Sequence, residues 1–208
     1  MPPSLRDWLA EDHLSYFISD AVEAMDLKSF EERYGTEGPG NQAFDPRMMV
    51  KVLIYGYATG VFSSRKIAAK LTDDVAFRML GAANFPAHRT ISDFRKLHLQ
   101  EFGNLFVQVV RMAREAGLVK MGTVAVDGTK LRANASKRKA MSYEWMKKQE
   151  TELGEQIRDL LNRASATDEE EDQRYGVDWR GDELPEGLAT HEKRKATIQA
   201  AMKRLEER

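Results

Sequence analysis

Asp127 and the cations around it are the residues of this chain best suited to chemistry. The run Thr123-Val-Ala-Val-Asp-Gly-Thr-Lys-Leu-Arg-Ala-Asn-Ala-Ser136 places an apolar triplet before Asp127, then a Gly-Thr turn and a second strand-like stretch over residues 130–133. A carboxylate at the end of a buried strand, close in sequence to Lys130, Arg132, Lys137, Arg138 and Lys139, is how a metal-dependent phosphoryl-transfer site begins. The carboxylate suits a hard divalent cation, and the basic loop suits phosphates. One carboxylate is not a complete site. Cysteine is absent, so thiolate ligands and disulfides are excluded, and a reducing interior is the natural compartment. His88 and His98 stand in different local elements without HExxH spacing, and they fit surface or satisfied core histidines better than zinc ligands.

Charge is segregated along the chain. Residues 61–140 hold 15 Lys or Arg against 6 Asp or Glu, while residues 1–60 hold 5 against 10 and residues 141–208 hold 12 against 17. A basic middle between acidic ends suits a polyanionic partner, although charges clustered on solvated helix faces give the same pattern. The 208 residues, 42% hydrophobic and 31% charged, can bury a substantial core, and no apolar run reaches the length of a membrane span. The expected location is cytoplasmic.

Most of the elements that must position these residues read as helices. Apolar residues Leu14, Phe17, Ile18, Ala21, Val22 and Met25 give one helix face, with Asp12 as its expected N-cap, and a short helical run over 27–34 leads into the loop Gly38-Pro39-Gly40. Asp45-Pro46 opens a helix that is apolar over most of its circumference and stops at Gly60. Two short helices follow, with Ser63 or Ser64 and then Asp73 as caps and Gly81 as the stop. Thr90 with Asp93 predicts the start of one long helix whose apolar stripe runs to Gly117. Short helices followed by a helix carrying Arg89, Arg95 and Lys96 fit a helix-turn-helix-like DNA-binding arrangement, and fit an ordinary helical bundle equally well.

Beyond the Asp127 region, Leu153, Ile157, Leu160 and Leu161 recur at helical spacing, as do Ile198, Met202 and Leu205, so the two runs are expected to pair as a helical hairpin. The acidic stretch Asp168-Glu-Glu-Glu-Asp172 between them reads as part of a solvated linker over 164–189. The expected fold is mainly α. It comprises a helical DNA-binding-like domain (1–118), a short β-hairpin that begins an incomplete RNase H-like core (119–140), and a helical hairpin insertion (141–208).

Several motifs in order resemble one family. Phe44-Asp-Pro-Arg-Met-Met-Val-Lys-Val-Leu-Ile-Tyr-Gly-Tyr-Ala-Thr-Gly60, Ser63-Ser-Arg-Lys-Ile-Ala68, Asp74-Val-Ala-Phe-Arg78 and His88-Arg-Thr-Ile-Ser-Asp-Phe-Arg95 are similar to the N-terminal helical domain of bacterial insertion-sequence transposases of the DDE class. Val126-Asp-Gly-Thr-Lys130, Ala133-Asn-Ala-Ser136, Lys139-Ala-Met-Ser-Tyr143, Tyr175-Gly and Gly181-Asp-Glu-Leu-Pro185 resemble the start of that family's catalytic domain and its insertion.

The resemblance implies an RNase H-like core in which three acidic residues hold two Mg2+ or Mn2+ ions, with Asp127 as the first, both catalytic and metal-ligating. It also implies that transposon-end DNA is the partner, contacted by Arg65, Lys66, Arg89, Arg95 and Lys96 and, near the strand, by Lys130, Arg132, Lys137, Arg138 and Lys139. Further copies of the chain or a full-length transposase are additional expected partners, with nucleoid association and no membrane. Because the strands that would carry the second and third acids are not among these residues, the chain is expected neither to bind metal tightly nor to catalyse transposition alone. The competing expectation is a non-catalytic DNA-binding or transposase-interacting remnant that regulates or inhibits transposition.

Overall fold

A computed structural model describes residues 4–34, 43–118, 124–126, 129–131, 143–181, 188 and 190–206. It divides into two units, Met1–Glu170 and Glu171–Arg208.

The first unit is built around α3 (Pro46–Ala58), in which Val52, Leu53, Ile54 and Tyr57 are almost wholly buried. As its sequence predicts, Asp45 caps it by accepting from the Arg47 N–H, and Pro46 occupies the first turn, where no N–H is needed. Its end is a Schellman motif: the Val61 N–H donates to the Gly56 carbonyl at 2.7 Å and the Gly60 N–H to that of Tyr57 at 3.2 Å. Gly60 supplies the left-handed conformation, φ 80°, that this closure requires. α1 (Leu14–Glu23) and α5 (Val75–Leu80) pack on α3, and α4 (Ser64–Asp73) packs on α3, α5 and α6 (His88–Leu97). The short α2 (Lys28–Glu31) buries Phe30, and α7 (Leu99–Glu115) adds Phe102, Leu105, Phe106 and Val109 to the same core.

Local chemistry shifts several boundaries from those expected. α1 is capped by His13, whose Nδ1 accepts from the Ser15 N–H, and not by Asp12. Asp74, not Asp73, caps α5, with one carboxylate oxygen accepting from the Ala76 and Phe77 N–H groups. Thr90 lies inside α6, which starts at His88 behind Ala87. The long helix expected from there to Gly117 is two helices, broken at His98 (φ −113°, ψ 25°). Gly117, φ 71°, ends the second.

α8 (Tyr143–Tyr175) replaces the expected solvated linker over 164–175 with continuous helix. Within the first unit Leu153, Ile157, Leu161 and Ala164 recur every three or four residues and are buried in the core that α3 and α7 share. A side-chain carbon built on Gly103 of α7 would lie 3.7 Å from the Leu161 side chain, so the two helices meet there.

β1 (Val124–Val126) and β2 (Thr129–Leu131) form an antiparallel ladder, with Val124 opposite Leu131 and Val126 opposite Thr129. Three residues on each side are too few for an independently stable sheet. The described residues are otherwise helices and their connections, so the structure is mainly helical and does not support an RNase H-like core.

In the second unit, the end of α8 leads through Gly176 to Gly181, both with φ 85°. A side-chain carbon at Gly181 would lie 2.8 Å from the Tyr175 ring, so only glycine lets the backbone rest there. α9 (His191–Glu206) starts behind Thr190, whose hydroxyl accepts from the Lys193 N–H, and its Ile198 is 56% exposed.

Candidate nucleic-acid interface

α4 and α6 carry the five cations that the sequence assigns to DNA in the helical domain. Ser63 sets the start of α4 by accepting from the Lys66 N–H at 3.2 Å. Ile67, Ala68 and Leu71 then bury one side of the helix and leave Lys66 exposed. On α6, Ile91, Phe94 and Arg95 face inward, which turns Arg89, Asp93 and Lys96 outward on a shared face at spacings of four and three residues. Lys66, Arg89 and Lys96 are therefore presented to solvent. Beside Lys96 and Asp93 a cavity of about 800 Å³ is walled by Tyr34, Phe44, Met49, Phe94 and Leu97.

Arg65 and Arg95 do not share that exposure. Arg65 is 4% exposed and Arg95 is completely buried, so neither can meet a phosphate on the surface of this structure. Arg95 instead pairs with Asp168 of α8, Nη2 to Oδ2 2.7 Å, and donates from Nη1 to the Tyr57 hydroxyl oxygen at 3.2 Å. The same carboxylate accepts from the Ser64 backbone N–H at 2.8 Å and from the Ser64 hydroxyl at 2.6 Å. Arg95 Nε is buried with no partner.

Burial strips water from this cluster and pushes the Tyr57 phenol up to about 12, with Asp168 acting in the same direction and Arg95 in the opposite one. Burial works against the charge on Arg95, but attraction to Tyr57 and Asp168 outweighs it and holds the guanidinium above its usual range.

Asp168 belongs to the acidic run expected to be solvated, yet it is 2% exposed. Its signal was present in the sequence. The stripe Leu153, Ile157, Leu161, Ala164 continues in step to 168, so a single carboxylate at that position falls on the buried face.

Both histidines of the helical domain's second half are buried, and His98 Nδ1 has no partner. His98 is buried against Phe30, Tyr34 and Phe94, with Nε2 3.0 Å from the Tyr34 hydroxyl, and burial pushes it below its ordinary value, with Arg33 adding to the shift. His88 is also buried.

Lys130 lies in β2, whereas Asp127, Arg132, Lys137, Arg138 and Lys139 fall outside the described residues. Among the described residues no group of three or more His, Asp or Glu is placed to hold a metal ion. No described helix is long and apolar enough to cross a membrane.

Residues 3–97 match a family model described as a transposase domain (DUF772). The match spans the short 3-10 helix Leu5–Trp8 through α6, the whole array that presents Lys66, Arg89 and Lys96, and it supports a transposase family for this region. Comparison with curated proteins and with solved structures finds no match.

Proposed function

We propose that this chain is the N-terminal part of a DDE-class insertion-sequence transposase, and that its helical domain binds transposon-end DNA through Lys66, Arg89 and Lys96. The observation that carries this reading is the transposase-domain match over residues 3–97, the residues whose folding turns those three cations outward. The positive balance of residues 61–140 supports it, because phosphate neutralisation by Lys and Arg supplies most of the non-specific affinity for DNA.

In this reading Asp127, directly after β1, is the first carboxylate of a triad that holds Mg2+ or Mn2+ in the complete enzyme, and Lys130, Arg132, Lys137, Arg138 and Lys139 hold backbone phosphates beside it. Such ions activate a water or a 3′-hydroxyl and stabilise the leaving oxygen at a phosphodiester. A two-ion clamp needs more carboxylates than Asp127, so the function assigned to these residues by themselves is binding, without transposition chemistry.

Fluorescence anisotropy with the full chain and a labelled duplex tests the reading. Micromolar binding at low salt that is lost in Lys66→Glu/Lys96→Glu is the expected outcome. Wild-type protein that leaves the duplex free at low salt would leave only a structural helical domain.

A further inference from the structure

We propose that Asp168 is an internal stand-in for a nucleic-acid phosphate: its carboxylate fills an anion receptor made by the Ser64 N–H, the Ser64 hydroxyl and the Arg95 guanidinium, so docking of α8 and phosphate binding at Arg95 exclude one another. This inference rests on the DNA-binding reading of the helical domain.

The donor set is the starting point. An N–H in the first turn of a ten-residue helix, a hydroxyl and a guanidinium are the groups proteins use to hold phosphate oxygens. Here they converge on one carboxylate at 2.8, 2.6 and 2.7 Å. The receptor is also not saturated by it, since Arg95 Nε is buried and has no acceptor. A phosphate group brings more acceptor oxygens than a carboxylate and can serve the same donors with capacity left over.

The position of Asp168 makes it a latch. It is the last buried residue of the α8 stripe, and Glu169 and Glu170 immediately after it are exposed. The attraction within a buried ion pair is largely offset by the loss of hydration, so this end of α8 is held by matched charge more than by net stabilisation. Another anion offered to Arg95 competes on near-equal terms, which a leucine at 168 would not allow. The contact also accounts for the burial of Arg95, which the sequence places among the DNA-binding cations. In the docked state its charge is already neutralised by the chain itself.

Asp168→Ala and Asp168→Asn in the full chain, with helical content checked by circular dichroism, test the exclusion in two arms. In the first, Asp168→Ala binds a labelled duplex at low salt roughly ten-fold more tightly than wild type, a coupling of ordinary size for mutually exclusive events, and adding Arg95→Gln removes the gain. In the second, inorganic phosphate raises the melting temperature of Asp168→Ala above that in chloride of equal ionic strength and leaves wild type unmoved. If Asp168→Ala does not fold, the isosteric Asp168→Asn is measured in its place with the same signs.

A folded variant with wild-type DNA affinity and no response to phosphate overturns the exclusion and leaves the DNA-binding reading standing. Stabilisation by phosphate in a protein that binds no duplex in any form overturns the nucleic-acid source and the DNA-binding reading together, and assigns the receptor to free phosphate.

Discussion

At the scale of single residues, the buried Arg95–Asp168 pair is sensitive to the loss of either partner. Removing the carboxylate in Asp168→Ala strands a guanidinium without its counter-charge, and denaturant titration should show a loss of about 3–5 kcal/mol. Replacing both members, as in Arg95→Met/Asp168→Leu, should be close to neutral or stabilising, because neither charge then has to be desolvated. A double variant as damaged as the single one would show that the geometry, and not the charge, holds α8.

His98 gives a pH dependence with a definite sign. Its folded value lies below 6.5, so the folded state binds fewer protons than the unfolded state in mildly acidic solution. The stability it contributes is present above pH about 6.5 and is lost as pH falls through that value toward the folded one. The urea midpoint should drop between pH 7.5 and 5.5, and His98→Gln should flatten that part of the profile. The five helical-domain cations were legible in the sequence as a group, but their division into exposed Lys66, Arg89 and Lys96 and buried Arg65 and Arg95 was not. Helical spacing puts Arg95 on the face of Ile91 and Phe94, but its partner Asp168 comes from α8, which no local pattern in α6 reveals.

At the scale of elements, the caps show how close sequence reasoning comes. Asp45-Pro46, Ser63 and Gly60 act as their chemistry dictates, because each satisfies or removes a backbone group that the helix end leaves unpaired. Gly81 does not act as expected. It closes α5 with φ −75°, and the left-handed position falls on the next residue, Ala82, at φ 47°. Gly81 is needed for a different reason: a side-chain carbon there would lie 2.7 Å from Leu71 Cδ2. Ala82→Gly should therefore leave stability unchanged or raise it by up to about 1 kcal/mol, since relief of the left-handed strain exceeds the added freedom of the unfolded chain. Gly81→Ala should cost about 1–3 kcal/mol through overpacking. Thermal denaturation of the two variants separates these roles, and equal effects would contradict them.

The break between α6 and α7 was illegible because the apolar stripe continues across it and neither Gly nor Pro marks it. The turn at His98 is set by tertiary packing of its ring against Phe30, Tyr34 and Phe94. In α8 the stripe through Leu161 was legible, and only its continuation over 164–175 was not. Its acidic run obscured a stripe that continues in helical register, and Leu161→Ala should cost about 2–5 kcal/mol because that side chain fills space beside α7.

At the scale of the whole molecule, a helical domain and a pair of three-residue strands are all that the described backbone offers to phosphoryl chemistry. The helical part was readable from periodicity and capping, and its residues up to the end of α6 carry the transposase-domain match over 3–97. The proposed catalytic part was readable only as Asp127 after an apolar triplet, because a sheet is specified by long-range pairing that a local stretch does not contain. The DNA binding proposed for these residues is electrostatic, and electrostatics has a quantitative signature. Each phosphate neutralised by a side chain releases counterions and adds about −0.9 to the slope of log affinity against log salt. The most direct test measures that slope for wild type and for Lys66→Gln/Arg89→Gln/Lys96→Gln on the same duplex. Loss of three contacts should reduce its magnitude by roughly 3 while helical content is unchanged. Equal slopes in a folded triple variant would contradict the assignment of DNA binding to the outward face of α4 and α6.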